Sequence, residues 1–492
     1  MRHTSLRLTA TTLLALACGT QAQEHRFERE NVLGTSLDLT VRCQDKRVAE
    51  RVQTLVLAEI GRLSKILSRH DEDSELQRLH NSTAPTTVSK DLLNVLTACE
   101  RWRQASGGAF NACLPNSPPS PESKAVDGVA HISQQPPRLV IDAKYRTVDL
   151  APHTKLSLDA LAKGYIIDRA CELALSADPS VSGVILDIGG DLKVVGDLKR
   201  PISVADPRDG AQNAKPLCKL SITNQAVASS GSYARQDPAG NTNAHIYDPR
   251  SGLSAKVVLG ATVIAETCVE ADALATILNV LPASEGIALA SKFKNVSCVI
   301  VDQNRKIHSS GNFKKVLIGN LSARPPAPHR KTTKRTIATA GLTAKVTFTI
   351  RNPSGKRRRS YRRPYVAVWI ADPKTKKPLR TLCLWIEGRR WLRDLRTWYH
   401  HHRKQTEFID TTSRATRRPG QYDLIWDGRD DQGHDLPQGD YLLFIECARE
   451  HGTHQLMRSR INMRRPGATV QMRPNEEIES ASAHIQNSRD KE

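Results

Sequence analysis

Asp272 and Thr276 stand four residues apart in Glu270-Ala271-Asp272-Ala273-Leu274-Ala275-Thr276, a run that opens an apolar-periodic helix. That spacing sets a carboxylate and a hydroxyl on one helix face, one turn apart and near the positive end of the helix dipole. Two hard oxygen donors presented together suit Mg²⁺, which takes few protein ligands and completes its shell with water and phosphate oxygens. An Asp–Thr pair on a solvated surface is the plain alternative. Leu158-Asp159-Ala160-Leu161-Ala162-Lys163-Gly164-Tyr165 reads as a strand running into a helix. Its small residues would let a ligand approach the backbone, and the helix N-terminus would favour phosphate; an ordinary capped helix reads the same way.

Two further segments are weak when taken singly. Ile188-Gly189-Gly190-Asp191 lies between apolar strands and precedes Ser229-Ser230-Gly231-Ser232-Tyr233; a double glycine there is usually only a turn. His245-Ile246-Tyr247-Asp248-Pro249-Arg250-Ser251-Gly252 can set His245 and Asp248 at one site edge, though a lone histidine is more often structural.

In their order, these segments resemble the ApbE-type FAD:protein FMN transferases. That family's motifs run Ala-Lys-Gly-Tyr, Gly-Gly-Asp, Ser-Gly-x-Tyr, His-Ile-x-Asp-Pro-x-[Ser/Thr]-Gly and Glu-Ala-Asp-Ala-x-Ala-Thr. The resemblance spans about Arg26 to Asn320, and includes Leu33-Gly34-Thr35, Asp73-Ser74-Glu75-Leu76 and Gly108-Ala109-Phe110-Asn111 upstream. It implies transfer of FMN from FAD to a Ser or Thr hydroxyl of an exported redox protein, with AMP released. It further implies Mg²⁺ held by the Ala160 carbonyl, Asp272 and Thr276. FAD would lie along Leu33, His70, Ala109, Phe110, Asn111, Ser157 and Lys163, with Gly189, Gly190, Ser230 and Gly231 allowing close approach. His245 and Asp248 would stand near the reacting pyrophosphate, His245 as the base for the acceptor hydroxyl. Three positions depart from the family: His70 replaces a frequent tyrosine, Asn111 an aspartate, and Ser157 an aspartate that touches the nucleotide. A flavin-binding scaffold with a decayed site is therefore a competing reading.

The elements that must position these residues follow from the wider pattern. With 492 residues, the chain is long enough for roughly two to four domains. Ser36 to Arg42 alternates as a strand, Val48 to Leu67 and Lys90 to Ala105 have helical periodicity, and Leu139 to Leu150 reads as a hairpin. Strands and helices then mix irregularly to about Asn320, which predicts an α+β domain over residues 26–320. Residues 321–344, rich in Pro, Lys and Arg, read as a basic linker. Five of the six tryptophans follow, among short alternating strands and turns such as Asp430-Asp431-Gln432-Gly433, so residues 345–473 are expected to form a small all-β sandwich-like domain. Trp426-Asp427-Gly428-Arg429-Asp430-Asp431-Gln432-Gly433 resembles a hairpin of an immunoglobulin-like module, and the whole resembles an uncharacterised exported domain found joined to flavin transferases. Residues 474–492 read as a disordered polar tail.

Charge divides the chain. From Leu321 onward 35 Lys and Arg face 18 Asp and Glu, a net +17 out of the total +21. Such a surface attracts anions in general and does not choose among them. Arg2 and Arg7, the apolar run Leu8 to Ala17 and small residues to Ala22 read as a signal peptide over residues 1–22. That places the chain in the periplasm or outside; lipid attachment at Cys18 is the alternative to simple cleavage. Partners expected are FAD and exported flavin-acceptor redox proteins, not nucleic acid, with inner-membrane association through a partner or a lipid anchor. Asp410-Thr411-Thr412-Ser413-Arg414-Ala415-Thr416 resembles the family's acceptor motif Asp-x-x-[Ser/Thr]-Gly-Ala-[Ser/Thr], with Arg414 in place of glycine. Thr416 is thus a candidate flavin acceptor, and a self-flavinylated electron carrier is the alternative function. His400-His401-His402, beside Arg403 and Lys404, reads as a solvated basic turn, with metal binding as the alternative.

Overall fold

The computed structural model describes residues 22–114, 139–152, 154–208, 216–231, 246–255, 257–321, 342–352, 362–386, 389–405, 408–409, 412–414, 416–417, 419–450 and 452–487. Up to residue 321 the framework is an eight-stranded sheet whose neighbours follow chain order: β1 Gln23–Val32, β2 Thr35–Cys43, β3 Gly183–Ile188, β4 Asp191–Gly196, β5 Gln225–Gly231, β6 Val258–Ala265, β7 Ser297–Asp302 and β8 Ile307–Ser309. Every adjacent pair is antiparallel.

Alternation along the strands creates two cores. Leu37, Leu39 and Val41 of β2 and Val184, Leu186 and Ile188 of β3 face a helical layer. Ile185, Leu192 and Val194 point the other way, onto a small sheet of Arg200–Val204, Cys218–Ile222 and Leu317–Ile318. The domain is thus a three-layer α+β structure, as the mixed sequence pattern leads one to expect.

The helices are α1 Lys46–Leu67, α2 Glu75–His80, α3 Lys90–Ala105, α4 Ala162–Ser176, α5 Cys268–Val280 and α6 Ala283–Ala290. In α1 the buried positions Val48, Val52, Val56, Ile60, Leu63 and Leu67 recur at three- and four-residue steps, and Asp45 caps the start by accepting from the Arg47 amide. Ser89 caps α3 in the same way. Helix α5 opens two residues before Glu270, because the Thr267 side chain accepts from the Glu270 amide and sets the cap upstream. Nearly all of α5 is buried, wedged against α4, β5 and β6. The strand read ahead of Ala-Lys-Gly-Tyr ends at Leu156, and residues 157–161 form an irregular turn into α4.

From residue 342 the chain forms two sheets, matching the sandwich-like expectation. One has the order β13-β9-β17-β16, from β9 Leu342–Ile350, β13 Gly420–Trp426, β16 Thr469–Met472 and β17 Ile478–Asn487. The other runs β12-β11-β10-β14-β15, from β10 Tyr365–Ala371, β11 Pro378–Trp385, β12 Ser413–Arg414, β14 Asp440–Ala448 and β15 His454–Asn462. Val346, Phe348, Val368, Trp385, Trp426 and Ile445 fill the space between them.

Three expectations need correction. Residues 474–492 are not a disordered tail as far as Asn487, because Ile478, Ala481, Ala483 and Ile485 alternate into the core and β17 pairs with both β9 and β16. The β unit begins at Leu342 rather than 345, since Leu342 and Ala344 already pair with β17. His400-His401-His402 closes helix α7 (Arg396–His402) rather than forming a turn, with His402 buried against Trp398 and Phe408. Residues 322–341, most of the basic linker, lie outside the described residues. All nine cysteines after Cys18 are buried. Among the described residues no helix is long and apolar enough to cross a membrane.

Candidate functional site

The Gly-Gly turn shows why its residue types recur. Gly189 and Gly190 both have positive φ, +63° and +94°, so they form the two-residue turn that joins β3 to β4 with the twist of the sheet. A Cβ on Gly189 would lie 2.7 Å from Thr35 Cγ2. The β1–β2 turn therefore abuts the glycine turn, bringing Leu33 beside it. Leu33 is itself left-handed (φ 50°) and exposed.

Asp191 leaves the glycine turn toward the helical layer and meets Lys163 in the first turn of α4, Nζ to Oδ2 2.6 Å. Burial pulls hardest on the Lys163 ammonium, yet the carboxylates of Asp191 and Asp272 together outweigh it and hold the group above the ordinary lysine value. Lys163, Asp191 and Asp272 thus share one electrostatic neighbourhood, drawn from α4, β4 and α5. Asp187, on the opposite face of β3, holds the turn by accepting from the Gly190 amide at 2.9 Å.

Gly164 explains how α4 and α5 come so close. A Cβ there would lie 2.6 Å from the Cys268 carbonyl oxygen, so only glycine admits the start of α5. Tyr165, the last residue of Ala-Lys-Gly-Tyr, faces away and donates to Asp91 of α3 at 2.7 Å. On the sheet side, Asn279 of α5 donates to the Ser230 carbonyl at 2.9 Å, tying that helix to the Ser230-Gly231 end of β5.

A second group of expected residues lines the neighbouring loops. Ala109 and Phe110 are buried, and the Asn111 side chain accepts from the Cys113 amide at 3.0 Å. Ser157 joins that segment through its amide, which donates to the Ala112 carbonyl at 2.7 Å. Arg69 pairs with Asp159 at 2.8 Å, so the exposed His70 loop lies against the turn that carries Ala160.

Asp248 accepts from the Arg250 amide and from its Nε and Nη2 at 2.8–2.9 Å. The Arg250 guanidinium holds its carboxyl below the usual range. Such a group suits orienting the turn better than accepting a proton. Arg250 Cγ lies 3.5 Å from the Cβ position of Gly108, which brings this turn to the Ala109–Asn111 segment. His245 lies outside the described residues.

Thr416 is in the β unit. It is 4% exposed, and its hydroxyl is buried with no hydrogen-bond partner among the described residues. Asp410, Thr411 and Ala415 lie outside the described residues.

Among the described residues no three His, Cys, Asp or Glu side chains form a metal-holding group. The cation that the family resemblance implies would instead draw on one carboxylate (Asp272), one hydroxyl (Thr276) and one carbonyl (Ala160). The Leu158 carbonyl accepts from the Leu161 and Ala162 amides and that of Leu161 from the Tyr165 amide, while the Ala160 carbonyl accepts no backbone hydrogen bond among the described residues. An all-oxygen set with a single carboxylate and an uncommitted carbonyl fits Mg²⁺ that keeps water and phosphate ligands.

Sequence reading did not single out Asp168, Asp187, Arg250 or Asn279. Asp191 and Lys163 were both visible, inside Gly-Gly-Asp and Ala-Lys-Gly-Tyr, but their pairing was not. The contacts of Asp168 and Asn279 span 100 and 49 residues, which no local spacing reveals.

Fold and site together define an α+β protein that gathers a lysine, carboxylates and two-residue turns at one end of an antiparallel sheet. The model of the ApbE family matches residues 33–300, and the chain belongs to that family. A second model, described as "Predicted periplasmic protein (DUF2271)", matches residues 343–480. The chain is 28% identical to the FAD:protein FMN transferase of Treponema pallidum (strain Nichols), over 60% of this chain and 90% of that protein. It is 26% identical to the FAD:protein FMN transferase of Klebsiella pneumoniae (strain 342), over 56% and 89%. A crystal structure of the ApbE protein from Thermotoga maritima superposes with a TM-score of 0.51 at 25% identity, covering 60% of this chain and all of that one.

Proposed function

We propose that this chain is an exported enzyme that transfers FMN from FAD to a Ser or Thr hydroxyl of a redox protein, with Mg²⁺ required and AMP released. The observation that carries the reading is the convergence of Lys163, Asp191 and Asp272 beside the abutting Gly189-Gly190 and Leu33-Gly34 turns, in a chain of the ApbE family. The named relatives are FAD:protein FMN transferases. Export is supported by the signal-like N-terminus and by the periplasmic description of the second matching family.

Chemically, the acceptor oxygen bonds to the phosphorus on the FMN side of the pyrophosphate, the bridging P–O bond breaks, and AMP leaves with that bond's electrons. Ala160, Asp272 and Thr276 would hold Mg²⁺, which when bound polarises phosphoryl oxygens and offsets charge on the leaving phosphate. Lys163, kept charged by its carboxylate neighbours, attracts the dinucleotide's phosphates. The glycine turn and the Ala109–Asn111 segment position the substrate, and Asp248 fixes Arg250 at the rim. His245 takes the proton from the acceptor hydroxyl. Self-labelling at Thr416 finds no support, since its hydroxyl is buried. Asp272→Ala tests the reading: it should abolish Mg²⁺-dependent AMP release while the protein remains folded.

A further inference from the structure

Asp168 lies on α4, one turn beyond Gly164, and is almost wholly buried. Its Oδ1 accepts from the Cys268 amide at 2.9 Å and its Oδ2 from the Val269 amide at 3.0 Å. These are the first two amides of α5, groups that the helix itself leaves without partners. Lys193 of β4 completes the arrangement, its Nζ 2.6 Å from Asp168 Oδ1. The negative charge is therefore matched by an ammonium and by the positive end of a helix.

The spacing gives these contacts their consequence. Ala160, Gly164 and Asp168 follow one another at four-residue steps. Gly164 meets the Cys268 carbonyl, and Asp168 meets the amides on either side of it. Helix α4 thus grips the opening peptides of α5 at two points. From the gripped residue Cys268, Asp272 and Thr276 follow at the same four-residue steps, so they repeat one helix face. A slip of α5 along α4 would carry those two oxygens away from the turn that bears Ala160.

We infer that Asp168, assisted by Lys193, is a positioning residue that fixes the register of α5 against α4 and so brings the cation-binding oxygens together. The inference rests on the proposed Mg²⁺ site and concerns a residue that does not itself touch the ion. Charge alone and position make opposite predictions for Lys193. Removing its ammonium should tighten cation binding if only the local field matters, and loosen it if Lys193 helps hold Asp168 in place.

Titration of the purified full chain with Mn²⁺, followed by loss of the free-ion electron paramagnetic resonance signal, reads the site directly. Wild type should bind and Asp272→Ala should not. Asp168→Asn should raise the dissociation constant at least tenfold, and Lys193→Met at least threefold. FMN transfer by Asp168→Asn should recover to within about threefold of wild type at saturating Mg²⁺. Should Asp168→Asn not fold, Asp168→Glu, which keeps the charge but displaces it by one methylene, carries the same expectation. If wild type binds, Asp272→Ala does not, and the Asp168 variant matches wild type, the inference falls while the proposed function stands. Tighter binding by Lys193→Met would also overturn it, leaving Asp168 to act through charge alone. If wild type binds no Mn²⁺, the proposed metal site fails and the inference fails with it.

Discussion

The Lys163 ammonium lies 2.6 Å from the buried carboxylate of Asp191 and joins the first turn of α4 to the strand that leaves the double-glycine turn. Removing the ammonium takes a charge partner from Asp191 in a poorly solvated place. Lys163→Met should destabilise the protein by roughly 3 kcal/mol, read by urea denaturation, and should weaken FAD binding at least tenfold, read by flavin fluorescence. A variant as stable as wild type with unchanged FAD affinity would show that the pair matters neither for folding nor for the site.

Gly164 and Gly61 are both helical glycines, and the structure assigns them opposite responses to alanine. Replacing a helical glycine usually stabilises by about 1 kcal/mol, because alanine has less backbone freedom to lose. Gly61 has open space around its Cβ position, so Gly61→Ala should follow that rule. At Gly164 the new methyl would lie 2.6 Å from the Cys268 carbonyl oxygen. Gly164→Ala should therefore destabilise by about 1–3 kcal/mol, as overpacking does. Thermal melts of both variants check the contrast, and an equal rise in both would refute the close approach of α4 to α5.

Helix α3 was legible in the sequence to the residue and α1 from two residues inside its start, because apolar positions recur at helical spacing. The Asp272–Thr276 spacing and the glycine turn were legible for the same local reason. What escaped depends on distance in the chain. Asp168 meets Cys268 across 100 residues, and β17 passes for a polar tail because two of its inward residues are the small Ala481 and Ala483, alternating with Ser482 and His484. In neither case does local composition carry the tertiary partner.

Asp187 predicts a pH dependence of stability. Burial foremost, with Asp38 and Asp191 nearby, pushes its carboxyl up to about 7, against the pull of the Gly190 amide and Lys163. An unfolded aspartate titrates near about 3.9. Between these values the folded chain keeps a proton that the unfolded chain has released, so stability falls as pH rises through the window. Asp187→Asn can still accept from the Gly190 amide but cannot ionise. Its melting temperature should decline less steeply than that of wild type between about pH 4 and 7. Burial also raises Asp38, its cross-strand neighbour, so a residual slope is expected in the variant. Parallel curves would contradict the assignment.

Thr416 offers a test of the self-labelling alternative. Its hydroxyl is buried without a hydrogen-bond partner among the described residues, a state that costs about 1–3 kcal/mol. Thr416→Val keeps the shape and removes that hydroxyl, so it should raise stability by roughly 1 kcal/mol and leave flavin incorporation unchanged. Loss of covalent flavin from the purified chain in this variant would instead show that the segment opens and accepts FMN.

The most direct test of the account is transfer itself. Purified wild type and Asp272→Ala are incubated with FAD, Mg²⁺ and a redox-domain substrate bearing Asp-x-x-[Ser/Thr]-Gly-Ala-[Ser/Thr], and the products are followed by intact-protein mass spectrometry and AMP release. Wild type should add the mass of FMN less one water to the substrate, at its final Ser or Thr, with one AMP per adduct and only when Mg²⁺ is present. Asp272→Ala should do neither while giving a native melting curve. Intact FAD and unmodified substrate after incubation with folded wild type, or equal turnover by the variant at limiting Mg²⁺, would contradict it.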